Sequence, residues 1–323
     1  MKLCVDRFYK MNYNILIIYN AVHIKSKNRR KAEMHSFLRA IGFSEYNTKA
    51  GIVELLNKVA ENPDNQTALV SSEPETHVEL THYFGKNIGI TWHGTIYEGE
   101  PDYDYYFPFY FGRHTYLREG FSIEKKASGN SYIGVIEDLR SGVSLIFYVI
   151  NPLDYMEWNE NGQINYKSTP IALSALSVSG TILLPISKNG RDLRREHKEQ
   201  KERTKLLAAA RNGDERAMES LTFQDMDVYT KISRRIAKED IFSIVNSSLM
   251  PYGLECDRYS IVSDILEVEA TINSVTGEKV WLMIIDYNGI VIDLAINDKD
   301  LTGEPEAGRR FKGSIWLQGR LDK

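Results

Sequence analysis

The chain has 323 residues, a formal charge of −4, and 42% hydrophobic against 26% charged side chains, a composition that excludes a disordered, collagen-like or disulfide-built protein. Cys4 and Cys256 lie far apart and outside any metal-ligand spacing, which fits a reduced cytoplasm. Charge is uneven: residues 1–33 carry +6, 34–190 carry −7, 191–211 carry +4 and 212–323 carry −7. Without the first block the remainder carries −10, which argues against general nucleic-acid binding or attachment to an anionic membrane, because phosphate surfaces attract positive fields.

Residues 1–33 read as a non-native or disordered extension. Their apolar run, Ile15-Leu-Ile-Ile-Tyr19, is too short for a membrane span or a signal-peptide core. Arg29-Arg30 stands at the distance before Met34 at which two AGG codons would spell a bacterial ribosome-binding site, so Met34 is the expected start. An ordinary basic arm is the alternative.

The expected fold class is α+β, with a mainly antiparallel N-terminal α+β domain over 34–190. A helical connector follows over 191–238, then a small C-terminal β-sheet or partial barrel over 239–323. After a short helix near Phe37, Thr48 caps a helix whose Ile52, Leu55, Leu56 and Val59 fall at helical spacing and which Asn62-Pro63 stops. Pro74 suits the first turn of a helix running to Phe84. Hairpins are expected between residues 88–97 and 103–111, between 132–137 and 143–150, and between 171–178 and 181–186, the last turning at Ser179-Gly180. Residues 191–211 form a charged helix. Gly213 and Asp214 break it, and Thr222 with Asp225 resembles a capping box that opens a further helix along Met226, Tyr229, Ile232 and Ile236. Leu266, Val268, Ala270 and Ile272 alternate as a half-buried strand, residues 280–287 form a central one, and Asn288-Gly289 turns into the next. A last strand covers 310–321.

No phosphate-binding glycine loop, zinc helix or nucleophile elbow occurs, and Ser122-Ile-Glu-Lys125 lacks its partner motifs. His77, His82, His93 and His114 cluster in sequence without a chelating spacing, so no metal and no cofactor are expected. Two surfaces remain. Tyr106 and Tyr110 lie on the strand face opposite Phe107, Phe109 and Phe111, which makes either a thick core or a ligand groove. Arg310, Lys312 and Trp316 share a strand face near Gly308 and Gly313, where guanidinium and indole can hold a carboxylate, a phosphate or a stacked base. Pairing of the basic residues with Glu304 or Glu306 is the ordinary alternative. If that face is functional, replacing Arg310 and Lys312 by Ala leaves stability nearly unchanged and weakens partner binding.

Met34-His-Ser-Phe-Leu-Arg-Ala-Ile-Gly-Phe43, Tyr106-Phe-Pro-Phe109, Gly142-Val-Ser-Leu-Ile-Phe-Tyr148, Met250-Pro-Tyr-Gly-Leu-Glu-Cys256 and Gly308-Arg-Arg-Phe-Lys-Gly-Ser-Ile-Trp-Leu-Gln-Gly319 together resemble an uncharacterised bacterial family, domain of unknown function 3881. The resemblance spans residues 34–321. It implies a cytoplasmic protein of anaerobic Gram-positive bacteria and brings no catalytic residues with it. The functional expectation is a binding, regulatory or adaptor protein with an unknown protein or small-molecule partner. The alternatives are an enzyme with a pocket in the N-terminal domain and a local RNA or anion binder acting through the last strand. Because nothing periodic and apolar in residues 1–33 needs burial, a chain starting at Met34 is expected to melt with the full-length protein. A drop of several degrees in Tm would show that the arm is structural.

Overall fold

The computed structural model describes residues 35–70, 75–97, 100–116, 120–126, 131–138, 144–186, 190–236 and 245–322; the expectations for residues 1–33 lie outside them. The side chain of His35 accepts the Phe37 N–H and opens a 3-10 turn, Ser36–Ile41, which ends at Gly42 with φ of 94°. The Thr48 hydroxyl accepts the Gly51 N–H and caps α1 (Lys49–Glu61), whose Ile52, Leu55, Leu56 and Val59 are buried as their spacing requires. Then β1 (Asn65–Val70), β2 (Glu75–Gly85), β3 (Ile88–Tyr97) and β4 (Glu100–Tyr110) form an antiparallel sheet in that order. Strand β2 stands where Pro74 suggests a helix. Val78 and Leu80 are buried, the flanking His77 and the intervening Glu79 are less so, and both edges of β2 are paired. Alternation with β-branched Thr76, Val78 and Thr81 therefore outweighs a single helix-start residue.

Next come β5 (Thr115–Tyr116), β6 (Phe121–Lys125), β7 (Tyr132–Glu137), β8 (Ser144–Val149), α2 (Pro152–Glu160) and β9 (Ile171–Leu183). The β7–β8 hairpin forms as its sequence suggests. The hairpin at Ser179-Gly180 does not, because β9 runs through it unbroken. Gly180 pairs with Gly313, and a Cβ on either would run into the ring of Phe311. These glycines serve a close ring approach rather than a turn.

Helices α3 (Gly190–Arg211) and α4 (Glu215–Ile236) are joined at Gly213, φ 87°, and Asp214 Oδ1 accepts the N–H groups of Arg216 and Ala217. Thr222 opens no new helix. It lies inside α4, where its hydroxyl donates to the Met218 carbonyl.

The last strands are β10 (Ser248–Pro251), β11 (Arg258–Ile272), β12 (Lys279–Tyr287), β13 (Ile290–Asn297), β14 (Leu301–Thr302) and β15 (Arg310–Leu321). β11, β12 and β13 form an antiparallel meander, and Asn288 and Gly289, both at positive φ, make the type I′ turn that their dipeptide suggests. β9 lies between β13, to which it is parallel, and β15, to which it is antiparallel. β15 pairs in turn with the first half of β11, which bends at a bulge between Ile265 and Glu267 before its second half meets β12. The result is a closed five-stranded barrel in place of the expected small sheet or partial barrel. The protein is mostly β, and α+β only in a coarse sense.

One core cluster, with Ile261, Met283, Ile285, Leu294, Phe311 and Ile315, belongs to the barrel; a second joins Leu176, Val280, Leu282 and Trp316 to the 3-10 turn, α1 and the four-stranded sheet. Barrel side chains also cap that turn. Asn297 donates to the Arg39 carbonyl (3.0 Å), Asn273 to that of Ile41 (2.8 Å) and Thr276 to that of Gly42 (2.6 Å). Gly180→Val is expected to lower stability by roughly 1–3 kcal/mol through overpacking against Phe311, read as a shifted denaturant midpoint. An unshifted midpoint would contradict the glycine–ring fit.

Candidate functional site

Of the five residues that the sequence singles out, the structure leaves no open face. Arg310 is buried. Its Nε donates to the Leu184 carbonyl (3.1 Å) and its guanidinium to the carbonyls of Val245 (3.0 Å) and Asn246 (3.4 Å). Lys312 is half-buried. Trp316 is buried against His35, Phe37 and Tyr148, and its indole N–H donates to Asp257 (3.0 Å). The alternation of the strand is as read, but the outer face of β15 is covered by other elements. The expectation that loss of Arg310 is harmless to stability therefore reverses, since its removal strands buried carbonyls. Arg309 takes the ordinary role, bonding the Glu304 carbonyl and the Glu306 carboxylate.

Tyr106 and Tyr110 are buried as well, so both faces of β4 are core and no aromatic groove opens there. The Tyr106 hydroxyl accepts the His35 N–H (3.0 Å), and burial pushes the phenol up to about 12. Tyr106 and Trp316 are thus brought together around His35. Burial, with the Arg258 and Lys126 charges, drives that imidazole down to about 3 and keeps it neutral. The Tyr110 N–H donates to Gln318, whose amide donates to the Pro108 carbonyl, a bridge between sheet and barrel.

A polar row that the sequence reading passes over crosses the four-stranded sheet. Glu79 pairs with His93 and His93 with Tyr105, so the three share one face. The Tyr105 ring stacks on His93 at 4.7 Å, and His93 Nδ1 lies 3.3 Å from Asp104. Thr95 donates to Asp104 (2.7 Å) and meets His77 at 3.3 Å. Burial, then the neighbouring Asp154 charge, pushes the Glu79 carboxyl up to about 8, against a hydrogen bond from the Leu153 backbone. Glu79 Oε2 and His93 Nδ1 have no hydrogen-bond partner among the described residues. The signal in the sequence is period-two spacing, His77-x-Glu79, which is visible only once β2 is read as a strand. Among the described residues, no group of three or more His, Cys, Asp or Glu is placed to hold a metal.

A groove of about 540 Å³ lies over residues 276–279 and 297–299, but its polar atoms are taken. Burial disfavours the Glu278 anion, yet hydrogen bonds from Lys299 (2.8 Å), Ser44 (2.5 Å) and Asn297 (2.6 Å) win and hold its carboxyl below the usual range. This network fastens the segment after the 3-10 turn to the barrel.

An exposed apolar face lies on α4. Ala217 and Leu221 are buried, whereas Phe223, Met226 and Tyr229 are 71%, 62% and 74% exposed. At 100° per residue these three span about 120° centred on Met226, while Ala217 and Leu221 lie about 180° and 140° away. Thr222 and Thr230 fill the same exposed face, and their hydroxyls donate back to the helix carbonyls of Met218 and Met226. Arg203 with Asp225 (2.8 Å) ties α3 to α4, and Arg211 with Glu137 (3.2 Å) ties the pair to β7.

Residues 38–319 match the family model of DUF3881, a domain of unknown function described from an E. rectale gene. The chain belongs to this family. The match begins in the 3-10 turn and ends in β15, so sheet, helical pair and barrel all fall within the DUF3881 unit. No curated protein and no solved structure matches the chain.

The raised Glu79 gives a pH signature. Its folded value, about 8, exceeds the ordinary 4.5, so the folded state binds more protons than the unfolded one in that interval and stability falls as pH rises through it. Glu79→Gln is expected to raise Tm over the wild type at pH 8.5, with the gain shrinking toward pH 5. A pH-independent difference would reject a neutral buried Glu79.

Proposed function

We propose that this DUF3881 chain is a binding or adaptor protein that docks a partner protein on the outer face of α4. The observation that carries the reading is the exposure of Phe223, Met226 and Tyr229 on one helix face with no charged side chain between them, because apolar patches of that kind mark interaction surfaces. Action in the cytoplasm fits Cys256, an exposed and unpaired thiol. No described helix is long and apolar enough to cross a membrane. Burial of Arg310 and Trp316 withdraws support from RNA or anion binding through the last strand.

Catalysis in the N-terminal layer is a second reading, favoured by Glu79 Oε2 and His93 Nδ1, two buried atoms without a hydrogen-bond partner among the described residues. A photo-crosslinking amino acid at Tyr229, introduced in the producing cell, is expected to give protein adducts on irradiation, with none from the same group at exposed Glu160. No adduct from position 229 would sink the docking proposal.

A further inference from the structure

We infer that α2 is a proton-held lid over the row of Glu79, His93 and Tyr105, seated while Glu79 is neutral and lifted when Glu79 ionises. The lid acts independently of whatever docks on α4.

The start of α2 shows how it is joined to the sheet. The first N–H groups of a helix need acceptors from outside it. Asn151, at the N-cap position, makes no side-chain capping bond. Its amide donates instead to Asp154 (3.1 Å) and to the Leu321 carbonyl (2.9 Å), and its side-chain oxygen accepts the Leu321 N–H (3.0 Å), which pins residue 151 to the end of β15. The Leu153 N–H turns to the Glu79 carboxyl on β2. Glu79 thus caps α2 from across the layer, while its Oε2 is buried without a hydrogen-bond partner among the described residues.

Little else holds the helix down. α2 has nine residues, too few to be stable as an isolated helix, and its buried residues are Pro152, Leu153 and Tyr155. Short elements with few buried apolar groups open locally, well below the free energy of global unfolding.

The groups that face Glu79 give a charge there no support. Asp154 of α2 repels it, and Tyr105 of β4 and Tyr148 of β8 are phenols that burial pushes up. His93 stands opposite on β3, but its Nδ1 lies 3.3 Å from Asp104. His77, two residues along β2, is lowered by burial and then by His93. Burial, then Asp154, therefore outweighs the Leu153 N–H and raises the Glu79 carboxyl to about 8. Loss of its proton leaves a buried charge that water must satisfy. Lifting α2, which carries both Leu153 and Asp154, removes the repulsion and admits that water.

Amide hydrogen exchange of the full chain between pH 5 and 9, with rates corrected for their intrinsic pH dependence, tests this. Residues 155–160 are expected to open more readily than β12. Their protection should fall by up to about tenfold per pH unit on the way up to about 8 and then level off, because each opening releases one proton from Glu79 in that interval. Glu79→Gln should flatten the fall, and Asp154→Asn should move the levelling to lower pH, since the repelling charge is gone. Protection of α2 equal to that of β12 at every pH would show that no lid opens and would overturn the inference. A fall with pH that persists unchanged in Glu79→Gln would overturn it as well.

Discussion

Closure of the barrel by β15 is the constraint on which the rest of the molecule depends. β15 is paired along both edges, with β9 over its whole length and with β11 over its first half. Without it, β9 and β11 would each present a row of unpaired backbone groups. Closure also makes a floor. Leu176, Val280, Leu282 and Trp316 face outward from the barrel and become core only because the 3-10 turn, α1 and the four-stranded sheet settle on them. The polar contacts follow the same logic: Asn273, Thr276 and Asn297 satisfy the last carbonyls of the turn, and Gln318 satisfies two backbone groups of β4. Each replaces a water that the docked layer excludes.

Glu79 Oε2 and His93 Nδ1 are among the few buried polar side-chain atoms without a hydrogen-bond partner among the described residues. Asp293 is buried and accepts the backbone N–H groups of Arg113 and His114, so its oxygens have donors. Glu79 meets Asp154 across the layer instead, and a single backbone donor does not offset burial. The difference between these two carboxyl groups is one of donor supply.

Much of the fold was legible wherever a local rule and the tertiary environment agreed. Thr48, Gly213, Asp214 and Asn288-Gly289 end or turn elements by capping and φ preference alone, and the structure places them there. The failures share one cause. Pro74, Ser179-Gly180 and Thr222 are local punctuation marks overruled by long-range partners: β1 and β3 around β2, Phe311 beside Gly180, and α3 alongside α4. The site reading meets a related limit. Alternation identifies which residues share a strand face, and Arg310, Lys312 and Trp316 do share one, but it carries no information on what covers that face. Nor did the histidine cluster in sequence reveal Glu79 beside His93, because that neighbour arrives through cross-strand register.

Arg310 gives the helical pair a particular standing. Its guanidinium holds the carbonyl of Leu184, which precedes α3 in the chain, and those of Val245 and Asn246, which follow α4. The outgoing and returning stems of a long excursion are thus clasped at one point on the barrel wall. The barrel sees a short, closed loop whatever the length of chain beyond the clasp, since lengthening a loop whose ends are already fixed adds little entropy cost. The arm is free to change its sequence, its length or its occupant while the registers of β9, β10 and β15 stay as they are.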